Sequence, residues 1–414
     1  MQVILGVHEG HCISMADGNA TASGKTAFAM FSRVGSPNAS SNLYNAMKDR
    51  SALVVTSDHT ERDSSGRDGH EDVEDWLETV EQFTKFRWLV NRPERIPEWT
   101  MKAFKLASTM PGGPSYLRFP RDVLYAKKVK TGIFGPGTFD IPMQVGPDPG
   151  EVERAARVLL EAKSPLLYLG MEVTASGAVS SVVKLAELIG CPVTQARSWA
   201  DDFPTKHPLF LGDYIPSMRY PKNVDVFVNL GAHMPHPLEW DSEPLRGVKI
   251  IHARARETSY LGTAFPVDIA LAGSVKETAD ALIESIKSLA TPQRLAQIAE
   301  PRLAASGEFV QAIAQSRLTA AKARWDQVPL TWERLSFEIN AALDKDAYIV
   351  PEFGSQGPKS LPWFSFGEGE KRRIGRATGY ALGWGVGASI GVKLARPNNQ
   401  VVSLQEMEGS CLVR

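Results

Sequence analysis

A carboxylate stands near the start of the chain, where an apolar run meets a stretch of small residues. Glu9 follows Val3–Val7, which has the character of a buried strand, and precedes Ala16-Asp17-Gly18 and Gly24-Lys25. Open α/β sheets bind their ligands at the carboxyl ends of strands. A glutamate in apolar surroundings is disfavoured in its charged form, which suits proton transfer near neutral pH. Glu9 is therefore the leading candidate for acid–base chemistry; the alternative is an exposed glutamate that complements a helix dipole.

A second candidate for proton transfer is a histidine in a loop rich in acidic residues. His70 stands between Asp68 and Glu71 in the stretch 66–72. Imidazole changes its charge near neutral pH, so it can move a proton or bind a substrate oxygen. The alternative is a solvated loop histidine without a chemical role. The sequence leaves both interpretations open.

Composition excludes several classes of function. The 414 residues carry a net charge of −1, with Lys+Arg 46 against Asp+Glu 47, which gives no electrostatic argument for nucleic acid or an anionic membrane as a partner. The 3 cysteines are scattered and form no C-x-x-C, so neither a disulfide framework nor a zinc site is predicted. No signal-peptide pattern opens the sequence, and we expect a cytoplasmic protein.

The chain divides into three blocks in which strand and helix patterns alternate. Such alternation predicts an α/β fold of three consecutive doubly wound parallel-sheet domains. We expect a first domain over residues 1–128, a central domain over 148–290 and a third over 328–414. A pattern typical of a buried strand opens the chain, and another lies close to its end. We therefore expect the first domain to lack its N-terminal part and the third domain to lack its C-terminal part. Helices are also predicted over 73–83 and, rich in glycine, over 378–395.

Motifs of the first block succeed one another in the order of a known enzyme family. The block resembles the pyrimidine-binding domain of thiamine-diphosphate enzymes of the acetolactate synthase, pyruvate oxidase and benzoylformate decarboxylase type. The matches are residues 8–25 to H-E-x-x-A…A-D-G-x-A…G-K, 32–38 to S-G-P-G-A-T-N, 45–51 to N-A-x-x-D-R-S, 66–72 to G-x-D-A-F-Q-E, and 113–123 to G-P-V-Y-L-D-L-P-R-D-V.

The later blocks extend this resemblance. Residues 164–170 and 190–193 fit the family's central domain, which binds FAD in some members and nothing in others. Residues 352–354 and 379–385 resemble the front part of its diphosphate-binding domain. The family's metal loop, G-D-G-S, has only residues 406–410 as a counterpart. One inserted residue brings Glu408 to the place of the metal-binding aspartate, and Glu408 is then the predicted Mg²⁺ ligand.

The resemblance implies a thiamine-diphosphate site. Glu9 would hydrogen-bond the pyrimidine ring and promote loss of the thiazolium C2 proton. The thiazolium ring would then serve as an electron sink for decarboxylation or C–C cleavage. Leu382 would support the bent cofactor, with the Tyr380 carbonyl facing its amino group; otherwise it is an ordinary core leucine. His70 replaces an aromatic residue that faces the reacting carbon in relatives. Groups near the diphosphate are expected from Gly354, Ser355, Gly409 and Ser410.

These residues favour one function over two others. The first hypothesis is a thiamine-diphosphate- and Mg²⁺-dependent lyase, decarboxylase or carboligase that acts on a 2-oxo acid or a 2-hydroxyacyl compound. Because the family's cofactor spans two subunits, this hypothesis implies a homodimer or homotetramer. The second is a non-catalytic relative that has lost the metal–diphosphate loop. A nicotinamide dehydrogenase is disfavoured, since no G-x-G-x-x-G comes after the first predicted strand. FAD is conceivable in the central block, but no motif supports it.

Overall fold

A computed structural model describes residues 3–135, 137–138, 141, 144–196, 201–214, 223–233, 247–255, 261–262, 266–352, 357–367, 371–375 and 379–405. Contacts between Cα atoms divide the chain into two compact units. The first comprises Met1–Met143, Ala347–Gly354 and Ile374–Arg414, and the second comprises Gln144–Asp346 and Ser355–Arg373.

The first unit is built on a parallel sheet with helices against it. Its leading elements are α1 (Glu9–Ser23), β1 (Ala27–Phe31), α2 (Ser36–Asp49), β2 (Leu53–His59), β3 (Phe86–Leu89), α3 (Ile96–Ser108), β4 (Ser115–Pro120) and α4 (Arg121–Leu124). The strands lie in the order β1-β2-β4-β3. Helix α1 begins where the His8 side chain accepts a hydrogen bond from the Gly10 N–H, and it ends at Gly24, whose φ of 70° favours glycine.

The second unit contains a larger parallel sheet. Its elements are α5 (Pro149–Glu161), β5 (Pro165–Leu169), α6 (Glu172–Ala175), α7 (Val179–Ile189), β6 (Val193–Gln195), β7 (Phe210–Asp213), β8 (Val226–Leu230), β9 (Lys249–Arg254), β10 (Ile269–Ala272), α8 (Val275–Leu289), α9 (Pro292–Lys322) and α10 (Trp332–Ala342). The strand order β10-β9-β8-β5-β6-β7 reverses between β5 and β8. Both faces of β5 and β8 are buried, which explains their continuous apolar sequences.

The last part of the chain adds a third sheet and a close helix contact. It contains β11 (Tyr348–Glu352), α11 (Gly357–Ser360), β12 (Arg372–Arg373), α12 (Gly385–Ala395) and β13 (Val401–Gln405). In the first unit β11 and β13 pair in parallel. Helix α12 packs against α1 through glycines: a Cβ atom at Gly18 would collide with the Ala388 backbone, and one at Gly391 with the Met15 backbone. Glycine therefore permits backbone-to-backbone packing here.

The predicted α/β class with three parallel sheets is confirmed, but several elements differ from prediction. The predicted strand Val3–Val7 is wrong: among the described residues it pairs with no strand, and Leu5 and Val7 are 94% and 100% exposed. An apolar run forms a strand only where a neighbour supplies the backbone hydrogen bonds. The apolar surroundings expected for Glu9 therefore do not form from this segment.

Two predicted helices are shorter than expected. The one predicted over 378–395 begins at Gly385, because Tyr380 and Gly383 have φ angles of 55° and 84°, which an α-helix does not accept. Within 73–83 the structure has only a 3₁₀ helix, Glu78–Phe83. Upstream, the Asp75 carboxylate accepts a hydrogen bond from the Leu77 N–H, a local bond that competes with helix formation. Across the described residues, no helix has the length and apolar character to cross a membrane.

Candidate active site

The leading candidate, Glu9, is the first residue of α1 and is half-buried. Asn38 Nδ2 donates a hydrogen bond to Glu9 Oε2 at 3.1 Å. The side chain also lies against Gly35, in the turn between β1 and α2, where an added Cβ atom would be 2.5 Å from Glu9 Cγ. The carboxylate is thus oriented by an amide and lies where only a glycine leaves room for it.

Helix α2 carries three asparagines, Asn38, Asn42 and Asn45, which we call the asparagine row. Asn38 binds the Glu9 carboxylate, and Asn42 Nδ2 donates to the Gly10 carbonyl at 2.9 Å. Asn45 Nδ2 donates to Asn42 Oδ1 at 2.9 Å. The spacing i, i+4, i+7 places all three on one face of the helix, with about 10 Å between its ends. The row therefore fixes the start of α1 to α2.

The same row holds the loop that contains Tyr380 and Leu382. Asn45 Nδ2 donates to the Ala381 carbonyl at 2.9 Å, and the Ala381 N–H donates to Asn45 Oδ1 at 3.0 Å. Tyr380 is 51% exposed with a φ of 55°, and Leu382 is 44% exposed. Leu382 is therefore not an ordinary core leucine. One helix thus connects the predicted pyrimidine partner with the predicted cofactor support.

Buried polar contacts fix the start of α12, directly after the 380–382 loop. Both carboxylate oxygens of Glu352, at the end of β11, accept hydrogen bonds, from the N–H groups of Trp384 and Gly385 at 3.1 and 2.8 Å. The Trp384 indole donates to Asp17 Oδ2 at 2.7 Å. Glu352 therefore caps the start of α12, and α12 is bound to α1 by a hydrogen bond as well as by its glycines.

His70 lies in an exposed loop over the carboxyl end of the first sheet. Its side chain is 90% exposed, and its Nε2 lies 3.6 Å from Glu71 Oε1. The backbone beneath it is fixed, because Arg33 donates to the His70 and Glu71 carbonyls at 3.1 and 2.9 Å. The imidazole is accessible to solvent while its main chain is anchored.

Charged side chains at the carboxyl end of the first sheet form ion pairs with one another. Burial would raise the pKa of Asp58, but hydrogen bonds and charge from Arg33 and then Arg121 outweigh it and hold that pKa below its ordinary value. Burial lowers the pKa of Arg118 to about 10. Asp58 is therefore a charged anchor for the arginines and not a proton donor near pH 7.

The remaining predicted residues lie outside the described part of the chain. Gly354, Ser355, Glu408, Gly409 and Ser410 belong to this group, so the diphosphate and metal end of the site stays a prediction. Within the described ranges, no three His, Cys, Asp or Glu side chains form a potential metal site.

The second unit has the strand reversal at which other doubly wound folds bind nucleotides, and several described residues pack closely beside it. Doubly wound sheets bind ligands where the strand order reverses, here at the carboxyl ends of β5 and β8. A Cβ atom at Gly170 would collide with Ala232, and Glu172 Oε2 accepts a hydrogen bond from the Ala255 N–H at 2.8 Å. Arg254 Nε lies 3.6 Å from Glu172 Oε1. Among the described residues nothing supports FAD at this place.

Sequence reasoning identified Glu9 but missed the residues that hold it. The roles of the asparagine row and Arg33 depend on contacts with distant segments. The spacing of Asn38, Asn42 and Asn45 was nevertheless visible, and three amide side chains on one face of a helix indicate a face that binds backbone or ligand.

Models of one protein family match two parts of the chain. Residues 1–80 match the thiamine pyrophosphate enzyme N-terminal TPP binding domain, and residues 152–282 match the thiamine pyrophosphate enzyme central domain. The chain is 26% identical to the acetolactate synthase large subunit of Buchnera aphidicola over 433 residues, covering 96% of this chain and 69% of the relative. It is also 26% identical to benzoylformate decarboxylase of Pseudomonas aeruginosa, covering 97% and 73%.

A solved structure has the same fold. The thiamine diphosphate-dependent 4-hydroxybenzoylformate decarboxylase of Rhodococcus jostii RHA1 aligns with a TM-score of 0.76 at 23% identity, covering 99% of this chain and 74% of that one. The family resemblance found in the motifs is thereby confirmed, and the chain belongs to the thiamine pyrophosphate enzyme family whose members include acetolactate synthases and benzoylformate decarboxylases.

Proposed function

We propose that this protein is a thiamine-diphosphate- and Mg²⁺-dependent enzyme that breaks or forms the C–C bond next to the carbonyl of a 2-oxo acid or 2-hydroxyacyl compound. The single observation that carries the proposal is the position of Glu9. Its carboxylate is oriented by Asn38 and lies against Gly35, at the carboxyl end of β1. A helix-start glutamate that served only the helix dipole would need neither contact.

The residues of this chain fit the pyrimidine end of the cofactor. Glu9 would accept a hydrogen bond from a ring nitrogen, and the half-exposed Leu382 would offer an apolar surface to the rings. When bound, thiamine diphosphate supplies a nucleophilic carbon and an electron sink. The asparagine row holds both Glu9 and the 380–382 loop in fixed positions along one helix.

His70 is proposed to act on the substrate side. Its exposed imidazole, on an anchored backbone, can bind or protonate an oxygen of a bound carbonyl compound. Arg118 and Asp58 take no part in proton transfer in this scheme. Both belong to the charge network beneath the loop.

Two finer features complete the proposal. Glu408 is proposed to bind Mg²⁺, with Gly354, Ser355, Gly409 and Ser410 near the diphosphate. A homodimer or homotetramer in the cytoplasm is proposed from the resemblance, in which the active site lies between subunits. Size-exclusion chromatography with light scattering, with and without thiamine diphosphate and Mg²⁺, measures the assembly.

The decisive experiment replaces Glu9 with glutamine. Activity would be measured on a panel of 2-oxo acids from pyruvate to benzoylformate, with thiamine diphosphate and Mg²⁺ present. Because glutamine cannot hold the exchanging proton, we expect the rate to fall by roughly 10²- to 10⁴-fold with an unchanged melting temperature. Glu151→Gln is the matched control, since Glu151 is also a first-turn glutamate, in α5, and is expected to change the rate less than about twofold.

The outcomes separate the hypotheses. An unchanged rate in Glu9→Gln would contradict the proton-relay role of Glu9. If the unmodified protein gives no calorimetric signal with thiamine diphosphate and Mg²⁺ and no turnover, the non-catalytic interpretation replaces this proposal.

A further inference from the structure

Arg33 stands in the turn after β1 at the place where the family motif S-G-P-G-A-T-N has glycine. Its side chain is only 2% exposed. A buried guanidinium is found where its N–H groups have partners, and these partners show what the residue does.

The guanidinium joins its own turn to two other segments. Nη1 lies 2.6 Å from Asp58 Oδ2 at the end of β2, and the Arg33 backbone N–H donates to Asp58 Oδ1 at 2.9 Å. Nε and Nη2 donate to the carbonyls of Glu71 and His70 at 2.9 and 3.1 Å, and Nη2 lies 3.1 Å from Glu71 Oε2. Asp58 thus fixes the guanidinium, and the guanidinium binds two successive carbonyls of the His70 loop.

The loop adopts a backbone that needs such support. Asp68 and Glu71 have φ angles of 52° and 59°, in the left-handed region that residues with a Cβ atom rarely occupy. The Trp76 indole also donates to the Glu71 carbonyl at 3.2 Å. Bonds to the main chain, and not to the imidazole, determine where this loop presents His70.

The turn that contains Arg33 also contacts Glu9. Two residues beyond Arg33, Gly35 lies against the Glu9 side chain. One short 3₁₀ turn, Arg33–Gly35, therefore contacts the side chain of Glu9 and the main chain of His70. A glycine at position 33 has no side chain to bind the loop. A lysine provides a single ammonium group, which cannot replace a planar guanidinium that bonds in several directions.

We propose that Arg33 is a positioning residue that fixes the backbone of residues 70–71 and thereby places the His70 imidazole relative to Glu9. The role of His70 in this inference rests on the proposed function, whereas the anchoring of the loop does not.

The anchoring is tested by hydrogen–deuterium exchange on the full chain without cofactor. Arg33→Lys is expected to speed exchange in residues 68–76 at least tenfold while β2 and β4 are unaffected. Because a single change could leave a charge buried, the double variant Arg33→Gln/Asp58→Asn removes both charges and should give the same local effect. Arg62→Lys is the matched control: its exposed ion pair with Asp122, at 2.6 Å, lies at the other end of the same loop, and exchange in 68–76 should not change.

Exchange in 68–76 that stays within twofold of the unmodified protein in both Arg33 variants would overturn the proposal. An equal increase throughout β2 and β4 would overturn it as well, since Arg33 would then stabilise the whole unit.

Activity provides the second test. If Arg33 acts through His70, Arg33→Lys and His70→Ala lower kcat by similar factors, and the double variant is no slower than His70→Ala alone. If the losses in kcat of the two single variants multiply in the double variant, Arg33 does not act by positioning His70. If His70→Ala keeps full activity, the proposed catalytic role of His70 fails, and the exchange result alone decides whether Arg33 anchors the loop.

Discussion

At the carboxyl ends of the strands in the first unit, Arg33 pairs with Asp58 at 2.6 Å, and in the second unit Arg254 lies 3.6 Å from Glu172. All four residues belong to polar networks at the carboxyl ends of the strands. In the first unit the remaining donors of the arginine bind an exposed loop, and His70 stays accessible. In the second unit the Glu172 carboxylate accepts a hydrogen bond from the Ala255 N–H, and Gly170 packs closely against Ala232. The same kind of ion pair therefore supports an exposed loop in the first unit and closely packed backbone in the second.

The largest change in the free energy of unfolding is expected from Glu172→Gln, which tests whether the ion pair of the second unit is structural. Glutamine keeps the shape but leaves the Arg254 charge buried without its counter-ion, so unfolding should become easier by about 3–5 kcal/mol. Urea denaturation at pH 7 measures the change. Asp280→Asn is the control, because its pair with Lys276 is exposed and should contribute less than about 1 kcal/mol. Equal losses in both variants would show that the Glu172 pair is not structural.

Acid should affect the second unit through His252. Burial lowers its pKa to about 4, with a smaller contribution in the same direction from Arg254. Because the unfolded chain binds this proton near pH 6.5, stability should fall as the pH drops from about 6.5 to about 4 and level off below, by about 3 kcal/mol. Urea midpoints at pH 7, 5.5 and 4.5 measure this loss. His252→Gln, which keeps a donor for the Ala232 carbonyl, should be less sensitive; an unchanged pH profile would contradict the assignment.

Gly170→Ala tests how tightly the segments that follow β5 and β8 pack against each other in the second unit. The added Cβ atom would meet the Ala232 backbone, so Gly170→Ala should cost about 1–3 kcal/mol of unfolding free energy. Gly307→Ala, in α9, is the control because no atom lies within 4 Å of its added Cβ, and it should be neutral or stabilising. A neutral Gly170→Ala would mean that the backbone at Gly170 and at Ala232 can move apart at little cost.

The smallest effect on free energy, but the most informative for the first unit, is expected from Gly35→Ala. Its added Cβ atom meets only the flexible end of Glu9, which can move away at little cost. We expect the unfolding free energy to change by less than about 1 kcal/mol and the rate of the loaded enzyme to fall at least about tenfold, since a displaced general acid or base loses its geometry. If the rate of Gly35→Ala falls only in proportion to its loss of unfolding free energy, Gly35 has a structural role and does not position Glu9 for catalysis.

The fold was predictable where strands are buried on both faces. Strands such as β2 and β8 contain apolar runs of the kind from which the strand–helix alternation was predicted. Strands β3, β7 and β10 lie at sheet edges, are only 4 residues long and are partly exposed, so their sequences give a weaker signal. The reverse error, Val3–Val7, arose because apolar composition alone does not provide a neighbouring strand.

The candidate site was predictable only as far as motifs identify single residues. Glu9, Tyr380 and Leu382 were named from the family resemblance, and the structure connects the first with the other two through α2. The contact between Asn45 and Ala381 spans 336 residues of sequence. No local pattern could have predicted this contact. The role of Arg33 could not be predicted either, because the family motif has glycine at this position.

The asparagine row also constrains how this stretch of the gene can change. Each residue of an α-helix turns by about 100°, so an insertion or deletion of one codon between Asn38 and Asn45 would turn one end of the row away from its partner. Point substitutions on the opposite face of α2 have no such effect. Related genes that keep both contacts should therefore conserve the length of this segment more strictly than its composition.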